Sequence, residues 1–90
     1  MTTRPQQLQA VQAEALNTFV KKNADYGDAF SSYGPVGVLV RIGDKLARYI
    51  NISNTQVHMV DTESLRDTLL DLHNYAAMAV LLIDNPPAPK

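Results

Sequence analysis

The 90-residue sequence contains no cysteine, which excludes disulfide cross-links and catalysis by a thiolate. Aromatic residues are only 7% of the chain and glycines number four, whereas hydrophobic residues reach 46%, and this balance favours helices over strands. The formal net charge of −1 provides no general basic field, so direct binding of nucleic acid is not expected.

Long apolar runs are also missing. No stretch approaches the ~20 apolar residues that span a bilayer, and the first residues lack the apolar run of a signal peptide. We therefore expect a cytoplasmic protein without a membrane partner. Its length suits one domain, expected over residues 1–85, and the proline-rich residues 86–90 are expected to form a disordered tail.

The spacing of the apolar residues predicts an all-α fold with three helices, over about residues 5–24, 35–50 and 61–84. Pro5 and Pro35 suit the first turns of helices, and Asn85–Pro86 ends the last one. Residues 51–56 are polar and are expected to form a linker. Apolar residues three and four positions apart predict one buried face on each helix. These faces comprise Leu8, Val11, Ala15 and Phe19, then Leu39, Ile42, Leu46, Tyr49 and Ile50, then Leu65, Leu69, Leu72, Ala76, Ala79 and Ile83.

The segment 76–83 is apolar on all sides of its predicted helix. A helix of this kind has to be covered on more than one side, which three helices of one short chain can hardly achieve. We therefore expect the bundle to be completed by a homo-oligomer, a dimer or larger.

An acidic stripe runs along the third helix, opposite its apolar face. Glu63, Asp67, Asp71 and Asn74 recur one turn apart, with no cation between them on that line. One interpretation is a solvated helix face. The other is that Asp67 and Asp71, joined by Asp44 from the second helix, bind a hard divalent cation, because Mg²⁺ commonly uses a few carboxylates together with substrate phosphates.

Basic residues form a matching stripe on the second helix, where Arg41, Lys45 and Arg48 accompany Asp44. A solvated face with Asp44 paired to Arg48 is one account of this pattern. A polyphosphate site is the other, since arginine offers a planar fork and lysine a point charge to phosphate oxygens. Lys22, Asp25 and Tyr26 end the first helix, where the tyrosine ring either stacks on a base or is half-buried.

Three blocks of the sequence resemble the phage and bacterial nucleotide-modification-associated family, which in turn resembles the all-α, MazG-like nucleoside triphosphate pyrophosphohydrolases. The blocks are KNADYGD at 22–28, RIGDKLAR at 41–48 and ESLRDTLLDLHNY at 63–75. The resemblance implies an oligomeric helical bundle, Mg²⁺ (or Mn²⁺) held by helix carboxylates, and cleavage of a nucleoside triphosphate to monophosphate and pyrophosphate. If a phage encodes the protein, the host cytoplasm is its expected location.

Carried over to this chain, the resemblance implies that Asp67 and Asp71 serve catalysis through a metal held by Asp44, Glu63, Asp67 and Asp71. The residues expected to bind the nucleotide are Lys22, Asp25, Tyr26, Arg41, Lys45, Arg48 and Asn74. The chain lacks the paired-glutamate motif of MazG-like enzymes, because Glu14 is the only glutamate of its first helix. Three functions therefore stay open: a metal-dependent pyrophosphohydrolase, a nucleotide-binding or sequestering protein that has lost hydrolysis, and a structural oligomer without a ligand.

Overall fold

A computed structural model of the chain describes residues 1–26, 31–32, 34–55 and 62–86, of which residues 25, 26, 52–55 and 62 are described by their backbone alone. Its three helices are α1 (Arg4–Tyr26), α2 (Gly34–Thr55) and α3 (Thr62–Asp84). Across these ranges there is no strand. The predicted all-α class and the order of three helices are confirmed.

The helix ends follow local chemistry. Thr3 and Gln6 form a capping box, in which the Gln6 N–H donates to Thr3 Oγ1 (3.3 Å) and the Thr3 N–H donates to Gln6 Oε1 (2.8 Å). This pair starts α1 one residue before Pro5. Gly34 opens α2 with a φ of 68°, in the left-handed region that favours glycine. Pro35 follows it in the first turn, as expected.

The expected linker at residues 51–56 is wrong for its first five residues, because α2 continues through Thr55. Asparagine, serine and threonine cost less than about 0.7 kcal/mol each in a helix, so a run of them weakens a helix without ending it. The following residues, including the expected cap Asp61, lie outside the described residues, as does most of the predicted tail.

α3 lies at the centre of the fold and packs against both other helices, with its larger contact on α2. Lys45 of α2 pairs with Asp71, and Arg41, one turn earlier, lies over Tyr75, one turn later in α3. The opposite directions of these two steps make α2 and α3 antiparallel. On another flank of α3, the Asn74 side chain reaches the backbone of α1 at Ala15.

The predicted buried faces are largely wrong for a single chain. Only three hydrophobic residues of the described part are fully buried: Ala15, Val38 and Leu82. By contrast, the polar Asp71 and Asn74 face the neighbouring helices. Within this chain, α3 packs through these polar side chains together with the buried Leu82.

One side of the α2–α3 pair therefore remains apolar and uncovered. We call it the apolar flank and define it by five residues that are each 45–65% exposed: Leu39, Leu46, Ile50, Leu69 and Ile83. At about 100° per residue, Leu69 and Ile83 lie on the opposite side of α3 from Asn74, which contacts α1.

In the part of the chain that the structure describes, no helix combines the length and apolarity needed to cross a bilayer.

Candidate functional site

Asp71 is the point at which all three helices meet. Its Oδ1 accepts a hydrogen bond from Lys22 Nζ of α1, and its Oδ2 accepts one from Lys45 Nζ of α2, both at 3.1 Å. The Asp71 side chain is 26% exposed, that of Lys45 32% and that of Lys22 58%. The carboxylate is thus partly enclosed, and Lys22 is the more exposed of its two partners.

Two cations lie above the ring of Tyr75, one turn after Asp71. The Lys45 Nζ is 5.7 Å and the Arg41 Cζ is 5.8 Å from the ring centroid, both within the range of a cation–π interaction. We call Lys22, Arg41, Lys45, Asp71 and Tyr75 together the Asp71 cluster. It contains three cations and one carboxylate, so it carries a local positive charge although the whole chain is slightly acidic.

Tyr75 is not among the residues that the sequence predicts for the site. Its position does indicate a place there, because a residue four positions after Asp71 lies next to Asp71 on the same helix face. Lys22, Arg41 and Lys45 are predicted to share a site; the structure places the two lysines on the Asp71 carboxylate and Arg41 over the ring of Tyr75.

The ion pairs set the protonation of Asp71. Burial by itself raises the pKa of this carboxyl, but the hydrogen bonds and charges of Lys22 and Lys45 outweigh burial, so its pKa lies below the ordinary value. Asp71 is therefore a carboxylate at neutral pH, and both of its oxygens are occupied by ammonium groups.

A second polar contact holds α1 on α3 outside the cluster. Both guanidinium nitrogens of Arg66 donate to the two carboxylate oxygens of Glu14 at 2.6 Å, a bidentate pair. The hydrogen bond to Arg66 holds the pKa of the Glu14 carboxyl below its usual range. This pair lies in solvent, and its role is to join the two helices.

Asn74, expected to bind the nucleotide, is used within the fold. Its Nδ2 donates to the Ala15 carbonyl at 3.0 Å, and its Oδ1 lies 3.2 Å from His73 Nδ1. Asn74 also borders an open, mostly apolar groove of about 190 Å³ between α1 and α3. The residues lining it are Gln12, Leu16, Phe19, His73, Asn74, Ala77, Met78 and Leu81.

The four residues predicted to bind a metal are not drawn together. Asp44, Glu63 and Asp67 are exposed, and Asp71 is paired with lysines. Among the residues whose side chains the structure describes, no group of three aspartate, glutamate, histidine or cysteine side chains is placed to hold a metal ion. Within one chain, the four predicted residues are therefore not gathered into a single metal site, and the metal stays a prediction.

The remaining residues predicted to bind the nucleotide lie outside the Asp71 cluster or outside the described side chains. Arg48 is exposed on α2, one turn beyond Lys45, and has no ion pair among the described side chains. Asp25 and Tyr26 end α1, and their side chains lie outside the described set, so their predicted contact with a nucleotide stays a prediction.

The fold and the Asp71 cluster together define a small all-α protein with a cationic site at the junction of its helices. The chain matches the family described as nucleotide modification associated domain 1 over residues 22–83, and it belongs to that family. The matched region contains every residue of the Asp71 cluster. Comparisons with curated proteins and with solved structures gave no match.

The depressed pKa of Asp71 makes the stability of the fold depend on pH. The stabilisation that Asp71 provides is present above its unfolded-state pKa and is lost as the pH falls through the lower folded-state pKa. Asp71→Asn should lower the free energy of unfolding at pH 7 by about 1 kcal/mol, because two partly exposed ion pairs are lost.

That difference should shrink towards zero below the folded-state pKa, where wild type also loses the charge. Urea unfolding at pH 7 and pH 3, at one protein concentration, measures it. Asp67→Asn is the matched control, since Asp67 is exposed one turn earlier and should change stability little at either pH. An Asp71→Asn deficit that is equally large at both pH values would contradict the ion-pair account.

Proposed function

We propose that this protein binds the phosphate groups of a nucleotide at the Asp71 cluster. The observation that supports this most directly is the convergence of Lys22 and Lys45, from two different helices, on one carboxylate at 3.1 Å. Two ammonium groups held this close together repel each other unless an anion lies between them. A site that gathers them therefore favours anions.

Arg41 adds to the same site. Its guanidinium lies over Tyr75 beside Lys45 and has no carboxylate partner among the described residues. Guanidinium groups bind phosphate oxygens through two parallel hydrogen bonds, and ammonium groups add point charges. Membership of a family described as nucleotide modification associated supports a nucleotide as the molecule that carries the phosphate.

Hydrolysis of the bound nucleotide is the second candidate. Glu63 and Asp67 lie one turn apart on α3, both exposed and without an ion pair among the described side chains, and Asp67 is one turn before Asp71. Carboxylates in this arrangement next to bound phosphates suit a magnesium-dependent nucleoside triphosphate pyrophosphohydrolase, the reaction that the resemblance implies. Without that reaction, the same site describes a nucleotide-sequestering protein.

We also propose that the protein is a homo-oligomer joined through the apolar flank. Its accessible surface is 7271 Å², whereas a folded monomer of this mass exposes about 5,200 Å². Its radius of gyration is 15.3 Å, against about 12 Å for a compact chain of this length. A stable dimer buries roughly 800 Å² per partner, which is less than this excess. A second copy of the same chain, presenting the same flank, has the apolar surface to cover it.

Replacing Lys45 with alanine should weaken the binding of a nucleoside triphosphate by at least about tenfold, since a charge-assisted hydrogen bond contributes roughly 1.5–3 kcal/mol. Lys22→Ala should act in the same direction, and Arg48→Ala less strongly. Isothermal titration calorimetry measures each affinity. Lys21→Ala removes a neighbouring exposed lysine and serves as the control; equal losses in Lys21→Ala and Lys45→Ala would contradict a site at the cluster.

The hydrolytic candidate predicts release of pyrophosphate from at least one nucleoside triphosphate in the presence of Mg²⁺. Asp67→Asn should reduce this turnover by orders of magnitude while triphosphate binding changes much less, because the metal acts mainly in the transition state. Asp84→Asn, a carboxylate at the far end of α3, is the control. Retention of the intact nucleotide with no pyrophosphate released would favour the sequestering protein.

The proposed assembly predicts an oligomer in sedimentation equilibrium at tens of micromolar protein. Ile83→Lys places a charge in the apolar flank and should shift the protein to monomer. Val20→Lys makes the same change at a residue of α1 that is 56% exposed, and it should leave the oligomer intact. A wild-type protein that sediments as a monomer would overturn this proposal.

A further inference from the structure

We propose that Asp71 is a built-in competitor for phosphate: in the free protein its carboxylate occupies Lys22 and Lys45, and a bound phosphate group displaces it from them. This inference rests on the proposed phosphate site and adds a means by which the chain regulates that site. It assigns Asp71 a role opposite to that of a metal ligand or of a residue that holds the lysines ready for the nucleotide.

The geometry of the ion pairs supports this role. Each carboxylate oxygen accepts from a different lysine, at 3.1 Å in both cases, so the two oxygens of Asp71 bridge the ammonium groups as two oxygens of one phosphate group can. The two lysines come from different helices, and the carboxylate comes from the third. Asp71 therefore lies where a bound anion would lie, carries a negative charge as that anion would, and contacts both lysines at once.

The exposure of the same side chains permits exchange. Lys22 is 58% exposed and Lys45 is 32% exposed, and lysine carries its charge on a flexible four-carbon stem. Ion pairs in contact with solvent contribute little net free energy, so an anion of higher charge can displace a single carboxylate. The Asp71 side chain is 26% exposed, which is less than either lysine but leaves the carboxylate accessible from solvent.

The charges of the cluster indicate which anion succeeds. Lys22, Lys45 and Arg41 carry three positive charges, and Asp71 neutralises one of them. A ligand with two or more negative charges on adjacent oxygens, such as a diphosphate or triphosphate, gains from all three cations once the lysines leave Asp71. A ligand with one charge gains little over the carboxylate that it replaces, so the competitor selects for polyphosphates.

Competition also fixes the direction of a mutational effect. If the lysines are free in only a fraction of the protein molecules, the observed affinity for phosphate is the intrinsic affinity multiplied by that fraction. Removal of the competing carboxylate restores the intrinsic affinity. Asp71→Asn should therefore bind phosphate more tightly than wild type, even though it unfolds more easily. A metal-ligand role, or a role in positioning the lysines, predicts weaker binding instead.

Calorimetric titration with inorganic tripolyphosphate in EDTA tests the proposal, because this probe has no base or sugar and the chelator removes divalent cations. Asp71→Asn should bind about tenfold more tightly than wild type, a gain that corresponds to about 1.4 kcal/mol. Asp84→Asn removes the same charge at the far end of α3 and should change the affinity by less than about threefold, as expected for an exposed charge that makes no direct contact. Lys45→Ala should bind more weakly than wild type.

Each result decides a separate point. Equal or weaker binding by Asp71→Asn, or the same gain in Asp84→Asn, would overturn the competitor role. If wild type still binds and Lys45→Ala weakens that binding, the proposed phosphate site stands without it. Absence of binding in every variant would overturn both proposals.

A measurement on wild type covers the case in which Asp71→Asn fails to fold. Carboxyl ¹³C resonances followed against pH report the ionisation of Asp71 with and without tripolyphosphate. Displacement from the lysines should raise the pKa of Asp71 towards its ordinary value in the complex, while an unchanged pKa in the saturated protein would overturn the proposal.

Discussion

The bridge from Asp71 to Lys22 and Lys45 is the interaction on which the arrangement of this protein depends. It is the one described contact in which all three helices take part through a single side chain, and it stands in for much of the packing that a larger core would supply. Few of the described hydrophobic residues are buried, so paired charges and one amide-to-carbonyl hydrogen bond add to the packing that holds the helices together. The fold and the candidate site consequently use the same atoms.

The helical content was predictable, because each helix has apolar residues at the spacing of 3.6 per turn and clear punctuation by proline and glycine. Helix ends were less predictable. With the capping box of Thr3 and Gln6, α1 begins one residue earlier than the sequence predicts. The polar residues at the end of α2 are helical, although their low helix propensity predicts a linker. The first difference arises from a side-chain cap, and the second from the small cost of asparagine, serine and threonine within a helix.

The sequence indicated several residues of the candidate site but not how they are arranged. Charge type and spacing indicated Arg41 and Lys45 for phosphate and Asp71 for a metal ion, and the family resemblance added Lys22. None of these signals indicated that the lysines would bond the carboxylate. The reason lies in the faces of α3. Periodicity shows that Asp71 and Leu69 lie on different sides, yet it contains no information on which side meets the same chain and which is left for another molecule. Pairing across three helices depends on long-range geometry, which a single sequence does not display.

The attachment of α1 has a consequence for how the protein responds to its solvent. The Glu14–Arg66 and Lys22–Asp71 pairs join α1 to α3 beside the contact at Ala15, and exposed ion pairs of this kind weaken as the salt concentration rises. α2 and α3 meet over a larger surface that salt does not weaken. Of the three helices, α1 is therefore the one that rising ionic strength should loosen most, and its backbone amides should exchange with solvent before those of α2 and α3.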